Sequence, residues 1–276
     1  MMMRIALALL VSAVSLPTPP VVAAPPPETR LVIVGGGERP PLALARFVEW
    51  AGGRAARVLV LPWASGEPKE SCEALVEELK AHGPGQATCG PFASLDAQGK
   101  ASSLKAEGKA ETLARLSTAT GVFFTGGDQA RIMDVLADAE LLAAVKGRFA
   151  AGVVFGGTSA GAAVMSARMI TGEGDFTVID GEKVEVRPGL GLVEGAIVDQ
   201  HFVKRQRENR LFGLVLAHPG ERGVGIDEDT ALLVTGGRYA EVVGRGPVVL
   251  VDAKGRDRLE VRLLRAGQTT DLRKRP

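Results

Sequence analysis

The sequence lacks an excess of charge of either sign. Its 276 residues contain 33 lysines and arginines against 32 aspartates and glutamates, so the formal net charge is +1. A chain this close to neutral has no general electrostatic attraction to nucleic acid or to an anionic membrane. We therefore predict no nucleic-acid partner, and any preference for a charged substrate must come from local clusters of side chains.

Cysteine and histidine are also scarce. The chain has two cysteines, Cys72 and Cys89, and three histidines, and no group of these residues has the spacing of a metal-binding motif. We predict neither a metal nor a cofactor. The two cysteines would be free to pair in an exported protein, or they could be ordinary buried thiols. The sequence does not decide between these two states.

Long hydrophobic runs are missing except near the N-terminus. There, Ile5 to Leu16 is almost uninterrupted apolar sequence, preceded by Arg4 and followed by the small residues Ala23 and Ala24. This order is typical of a secretory signal peptide, and the run is shorter than the roughly 20 residues that a membrane-spanning helix needs. We expect residues 1–24 to be a signal peptide and residues 25–30 a proline-rich leader. The mature protein is then exported to the periplasm or the medium, without a membrane partner.

The rest of the chain alternates short β-branched runs with amphipathic stretches, and several of the runs end in glycines. We expect strands at residues 31–34, 57–61, 120–124 and 152–155, and helices at residues 41–50, 71–81 and 129–137 and from Ser159 onward. Such alternation predicts an α/β fold, a mostly parallel central sheet with helices on both faces. Ligands bind such sheets at the turns that follow the strands.

The second half of the chain changes character. We expect a strand at residues 196–198, a helix at 204–216, and short strands at 223–226, 231–234, 241–243 and 248–251. Because glycine and proline turns separate the short strands, they predict antiparallel pairing at the sheet edge. We interpret residues 31–265 as a single catalytic domain and residues 266–276 as a polar tail that frays.

The segment Gly157-Thr158-Ser159-Ala160-Gly161 fits the G-x-S-x-G pattern of a nucleophile elbow. In that motif a serine lies on a sharp strand-to-helix turn, so the residues two positions away must be small. The helix N-terminus behind the serine favours developing negative charge. The alternative is a glycine-rich turn that binds phosphate or only reverses the chain.

A nucleophilic serine needs a base and an acid to orient that base. His201 follows a predicted strand within a polar cluster, whereas His82 and His218 lie in turns next to glycine or proline. The candidate acids form two groups, residues 227–229 and the pair Glu173 and Asp175. Spacing does not choose between these groups.

The turn Gly126-Gly127-Asp128 closes another predicted strand. The backbone N–H groups of Gly127 or Asp128, together with that of Ala160, could form an oxyanion hole. The same turn could also serve as a tight bend with a helix cap, and the two roles are compatible.

Three segments in this order resemble the serine peptidase family that includes cyanophycinase and the aspartyl dipeptidase peptidase E. They are Phe-Thr-Gly-Gly-Asp-Gln at 124–129, Gly-Thr-Ser-Ala-Gly-Ala at 157–162, and Asp-Gln-His-Phe at 199–202 with the arginines that follow. The resemblance extends from about Leu31 to about Val251. It implies a fold like that of class I glutamine amidotransferases, with serine in place of their cysteine, and a homodimer.

The resemblance also implies roles for individual residues. Ser159 is similar to the family's nucleophile, His201 to its general base and Glu228 to the third member in cyanophycinase, while peptidase E keeps Asp175 as an alternative acid. The positions that resemble the substrate pocket of cyanophycinase are Gln129, Asp199, Gln200, Arg205, Arg207 and Arg210. The implied activity is hydrolysis of β-aspartyl-arginine linkages in cyanophycin, a polymer of aspartate and arginine.

The arginines agree with an acidic substrate. Arg207 and Arg210 are three residues apart and share one face of the predicted helix, and Arg205 lies at its start. Guanidinium groups bind carboxylates in a bidentate manner, although a solvated basic helix face is a further interpretation. Two other functions stay open: a peptidase E-like enzyme for short aspartyl peptides, and a non-catalytic ligand-binding protein of amidotransferase-like fold.

Overall fold

A computed structural model describes residues 28–273. The expected signal peptide and the first three residues of the expected leader lie outside the described residues. Within the described part of the chain, none of the helices combines the length and the apolar character that crossing a membrane requires.

The first half of the chain alternates strands and helices as expected, with a strand at Gln86–Cys89 and helices at Ala106–Thr118 and Ala139–Ala150 in addition to those predicted. Its elements are β1 (Arg30–Val34), α1 (Pro41–Trp50), β2 (Arg57–Leu61), α2 (Pro68–Lys80), β3 (Gln86–Cys89), α3 (Ala106–Thr118), β4 (Gly121–Phe124), α4 (Gln129–Val135), α5 (Ala139–Ala150), β5 (Val154–Thr158) and α6 (Ala160–Ala163). The second half is mostly β-structure. Its elements are β6 (Arg168–Gly174), β7 (Val184–Pro188), β8 (Ala196–Gln200), α7 (Glu208–Ala217), β9 (Arg222–Ile226), β10 (Thr230–Thr235), β11 (Tyr239–Gly244), β12 (Val248–Ala253), β13 (Leu259–Leu264) and β14 (Thr269–Asp271).

An eight-stranded sheet forms the centre, in the order β14-β11-β10-β1-β5-β4-β2-β3. Strands β1 to β5 pair in parallel, and β10, β11 and β14 extend the sheet in antiparallel fashion. Helices α1 and α2 cover one face and α3 to α6 the other, so apolar strand residues are buried on both sides. The predicted α/β fold with a mostly parallel sheet is confirmed.

The antiparallel strands divide between two sheets. Strands β10 and β11 extend the edge of the large sheet as predicted, whereas β9 and β12 belong to a second sheet of order β13-β12-β9-β8. The chain passes from the second sheet to the first at residues 227–229. The third sheet is the hairpin of β6 and β7, which has an irregular register between Ile170 and Gly174.

Two expectations for the second half are wrong. The tail does not fray at residues 269–271, because these residues form β14 beside β11 and the following Leu272 is buried. The helix expected from residue 204 begins at Glu208 instead. Gln206 has a left-handed backbone with φ of 53°, which is incompatible with a continuous helix. Arg205 and Arg207 therefore precede α7, and only Arg210 of the three arginines lies on it.

The two cysteines are bonded to each other. Cys72 on α2 forms a disulfide with Cys89 at the end of β3, across a sequence separation of 17. The bond fastens the helix to the outermost parallel strand of the large sheet. The sequence had left this pairing open.

Candidate active site

Ser159 lies on a sharp turn between β5 and α6, with φ of 53° and ψ of −109°. The turn brings the backbone of Gly157 and Gly161 together: a Cβ added at Gly157 would lie 2.2 Å from the Gly161 carbonyl oxygen. A Cβ added at Gly161 would lie 2.4 Å from the carbonyl oxygen of Phe124. Both positions therefore require glycine, which explains the G-x-S-x-G spacing in steric terms.

Ser159, His201 and Glu228 form a connected row. The Ser159 Oγ lies 2.8 Å from His201 Nε2, and His201 Nδ1 lies 2.6 Å from Glu228 Oε1. His201 follows β8 in the second sheet and Glu228 lies where the chain crosses between the two sheets. The row therefore assembles from three segments that are distant in sequence.

Asp175, the alternative acid, lies elsewhere. It is exposed in the loop between β6 and β7, and its Oδ1 accepts hydrogen bonds from the backbone N–H and the hydroxyl of Thr177. These bonds lower the pKa of Asp175. Of the two acids that the resemblance offered, only Glu228 reaches His201.

A glycine loop after β1 holds the histidine and the acid in place. The His201 N–H donates to the Gly35 carbonyl at 2.7 Å, and the Asp229 N–H donates to the Gly36 carbonyl at 2.9 Å. Gly36 has φ of 115°, and a Cβ there would lie 2.2 Å from His201 Cε1. The sequence marks this loop only by a glycine run at the carboxyl end of a parallel strand, where ligand sites form in such sheets.

The pKa of His201 is lowered, mainly by burial. The hydrogen bond to Glu228 opposes this shift, and the positive charges of Arg205 and Arg207 add to it. A histidine with a lowered pKa is neutral at neutral pH. Its Nε2 can then accept the Ser159 proton, as a general base must.

Two backbone amides next to Ser159 are open to a ligand. Among residues 28–273, no acceptor pairs with the N–H of Gly127 or of Ala160. The Asp128 N–H, by contrast, donates to the Ala64 carbonyl at 2.9 Å, and the Asp128 carboxylate caps α4 through the N–H of Ala130. The oxyanion-hole hypothesis therefore narrows to Gly127 and Ala160, and Asp128 serves as the helix cap.

A cavity of about 290 Å³ opens beside Ser159. The segment from β8 to α7 forms one wall, with Gln200, Arg205, Arg207 and Arg210. The β6–β7 hairpin also lines the cavity, with Thr171, Gly172, Glu173, Glu185 and Arg187. The cavity thus carries both basic and acidic side chains, and two of the acids, Glu173 and Glu185, lie on the hairpin.

The three arginines of the first wall have different surroundings. Arg210 is buried and paired with the buried Asp199, with a distance of 2.8 Å from Nε to Oδ2, and its guanidinium lies 5.0 Å from the centre of the Phe176 ring. Asp199 is thereby occupied. This pair holds α7 against the end of β8.

Arg207 and Arg205 lie closer to the open cavity. The Arg207 Nη1 donates to the carbonyl and to the side-chain oxygen of Gln200, and burial lowers the pKa of Arg207 to about 10, with the nearby Arg210 charge adding to the shift. The Arg205 side chain is 54% exposed, and its Nε lies 3.9 Å from Glu228 Oε1. Arg205 therefore has the most donors available to a ligand.

Gln129 is anchored within the lining of the cavity. Its side-chain amide is almost fully buried, and Nε2 donates to the Ile170 carbonyl at 2.6 Å. The contact fixes Gln129 to strand β6 of the hairpin. All six residues that resemble the substrate pocket thus lie on or directly behind the walls of one cavity.

Comparison with known proteins gives the family of the chain. Residues 31–242 match peptidase family S51. A cyanophycinase from Geminocystis herdmanii is 35% identical over 212 residues, which are 76% of this chain and 75% of that protein. One from Trichormus variabilis is 44% identical over 140 residues, 50% of this chain and 47% of that protein. The match thus spans about half the length of the latter relative.

The solved structures include a peptidase from an acI-B1 Actinobacterium that shares the fold. It superposes with a TM-score of 0.65 at 23% sequence identity, over 88% of this chain and 96% of that one. At this identity the likeness supports the fold alone.

Proposed function

Because this chain belongs to peptidase family S51, we propose that it is a serine peptidase that hydrolyses β-aspartyl-arginine linkages in cyanophycin or a related polymer. The observation that carries the proposal is the row of Ser159, His201 and Glu228 beside a cavity with charges of both signs. The relatives named cyanophycinase support the substrate class.

The proposed mechanism passes through an acyl-enzyme. His201 Nε2 takes the proton from Ser159 Oγ as the oxygen attacks the scissile carbonyl carbon, and Glu228 stabilises the imidazolium that forms. The amides of Gly127 and Ala160 stabilise the oxyanion. His201 then gives its proton to the leaving amine, and a water molecule, activated in the same way, releases the acyl group from Ser159.

We also propose that the protein is exported and that residues 1–24 are removed. The disulfide between Cys72 and Cys89 supports this proposal, because disulfides persist in oxidising compartments outside the cytoplasm. The test is the intact mass of the protein recovered from periplasm and medium. A mature chain that begins near Pro25 supports export, and a full-length chain confined to the cytoplasm contradicts it.

The test of activity is release of β-aspartyl-arginine dipeptide from purified cyanophycin. Wild type is compared with Ser159→Ala and with Ser117→Ala, a control on the exposed face of α3. We expect release by wild type and by the control, no release by Ser159→Ala, and fluorophosphonate labelling of Ser159 alone.

Each other outcome assigns a different function. Cleavage of short aspartyl peptides through Ser159, without release from cyanophycin, replaces the polymer substrate with the dipeptidase function. If folded wild type neither cleaves a peptide nor reacts with the fluorophosphonate, the result favours the non-catalytic ligand-binding function. Light scattering of the same preparation tests the predicted homodimer.

A further inference from the structure

We propose that Glu173 and Glu185, on the hairpin wall of the cavity, bind the guanidinium group of the substrate's arginine and thereby set the specificity of the Ser159 site for a cationic side chain. The inference rests on the proposed function, and it assigns to the hairpin a role that is separate from the chemistry at Ser159.

The hairpin brings the two glutamates to the same place. The buried Thr171 hydroxyl accepts a hydrogen bond from the Glu173 N–H and donates to the Glu185 carbonyl, each at 3.2 Å. This contact falls in the irregular part of the β6–β7 register. Such irregularities redirect side chains, and both glutamates line the cavity that contains Ser159.

Neither carboxylate is neutralised by the protein. Within residues 28–273, no lysine, arginine or histidine lies within 4.0 Å of Glu173 or Glu185. The cation closest to them along β7 is Arg187, two residues from Glu185, and it is paired with Asp134 on α4 at 2.8 Å. The hairpin wall therefore presents unpaired negative charge to the cavity.

Gln129 adds an amide oxygen to the lining of the cavity. The side-chain amide of Gln129 is only 5% exposed and Nε2 is committed to Ile170, while Oε1 has no donor among the described residues and the side chain lines the cavity. A guanidinium group has five N–H donors in a planar fork and no acceptor. Two carboxylates and one amide oxygen complement such a group.

The two kinds of charge in the cavity determine an orientation for the substrate. A β-aspartyl-arginine unit carries a carboxylate and a guanidinium, and the cavity offers Arg205 for the first and the two glutamates for the second. Paired carboxylates also bind metal ions, so a metal ion is the alternative to a guanidinium group at this place. However, no group of three or more histidine, cysteine, aspartate or glutamate residues in the described chain could hold one.

The experiment compares two β-aspartyl peptides, one with arginine and one with citrulline, its neutral isostere. The variants are Glu173→Gln, Glu185→Gln and the double variant, with Glu182→Gln as the matched control, because Glu182 is exposed in the same hairpin loop but does not line the cavity. We expect each substitution to lower kcat/KM for the arginine peptide about tenfold, the effect of losing one charged hydrogen bond. The citrulline peptide and the control should change less than about twofold.

Binding to the Ser159→Ala variant, measured by calorimetry, separates this inference from the proposed function. If wild type cleaves neither peptide, the proposed function fails. Tighter binding of arginine than of citrulline peptide, lost in the Glu173→Gln/Glu185→Gln background, would still support the guanidinium site. Equal losses on both peptides, or no preference for arginine in either assay, would overturn it.

Discussion

The backbone around Ser159 carries an unusual concentration of strain. Four non-glycine residues among those described have a positive φ: Ser159, His201, Gln206 and Asp229. All four lie in the segments that build the site. Such conformations cost about 1–3 kcal/mol each and persist only where the surroundings enforce them. For His201 and Asp229 the glycine loop after β1 supplies that support, because the Gly35 carbonyl accepts a hydrogen bond from the His201 N–H and the Gly36 carbonyl accepts one from the Asp229 N–H.

The contact of His201 Nδ1 with Glu228 predicts which acid matters. Glu228→Gln keeps the shape of the side chain but removes the charge that stabilises the imidazolium, so we expect kcat to fall at least about 100-fold. Asp175→Asn is the matched control and should leave kcat unchanged, because among the described residues the Asp175 carboxylate accepts hydrogen bonds only from Thr177. The measurement is steady-state kinetics on a soluble aspartyl peptide. A large loss of kcat in Asp175→Asn, with normal kcat in Glu228→Gln, would exclude Glu228 as the orienting acid.

The lowered pKa of His201 predicts the pH dependence. His201 must be neutral to act as a base, so kcat/KM should fall as the pH drops through a pKa below the ordinary histidine value. Since the Arg205 charge contributes to the lowering, Arg205→Gln should move this acidic limb to higher pH. The exposed Arg54→Gln is the control. A limb that stays in place in Arg205→Gln would show that the Arg205 charge does not act on His201.

At the scale of elements, the turn after β4 depends on the segment that follows β2. The Ala64 carbonyl accepts hydrogen bonds from the Asp128 N–H at 2.9 Å and from Arg131 Nη1 at 3.3 Å. Its neighbour Trp63 is fully buried and donates from Nε1 to the Pro91 carbonyl at 2.9 Å. Trp63 therefore holds the Ala64 carbonyl that orients the turn containing Gly127.

Trp63→Phe tests this support. The substitution leaves the Pro91 carbonyl without its donor, so we expect the free energy of unfolding to fall by about 1–3 kcal/mol. If the turn shifts, kcat should fall several-fold with KM nearly unchanged, because an oxyanion hole acts on the transition state. Trp50→Phe, at a half-buried tryptophan of α1, is the control. A loss of stability with normal kcat would limit Trp63 to a structural role.

At the scale of the whole molecule, the site lies where the two larger sheets meet. Ser159 follows β5 of the eight-stranded sheet and His201 follows β8 of the four-stranded sheet, so the packing of the sheets sets the distance between their side chains. The buried Arg222 of β9 pairs with Asp252 of β12 and donates to the Asp271 carbonyl of β14. It therefore joins one sheet to the other.

Arg222→Met should destabilise the whole molecule. The substitution leaves the buried Asp252 carboxylate without its partner, which costs about 3–5 kcal/mol in buried ion pairs. Urea denaturation measures the loss, and Arg222→Met/Asp252→Leu should recover part of it because no charge is then left buried. Arg245→Met is the control at an exposed pair with Glu38, where little change is expected. A single variant as stable as wild type would contradict this role of Arg222.

Much of the fold could be predicted because its signals are local. Strand and helix periodicities in the first half give the parallel sheet, and the steric demand at Gly157 and Gly161 lies within five residues of sequence. The start of α7 was missed because the left-handed conformation of Gln206 is imposed by its surroundings. The second sheet was missed because short strands do not specify which partner they pair with.

By itself, the sequence determined the α/β fold class, the family, and Ser159 and His201 as the candidate pair, because each follows from periodicities and motifs that lie in local stretches of sequence. Only the tertiary structure decided that Glu228 rather than Asp175 meets His201, that Cys72 bonds Cys89, and that the hairpin acids line the same cavity as the arginines. The physical reason is that these contacts join residues far apart along the chain. Their distances depend on how the strands pair and on how the sheets pack, and no short segment encodes either.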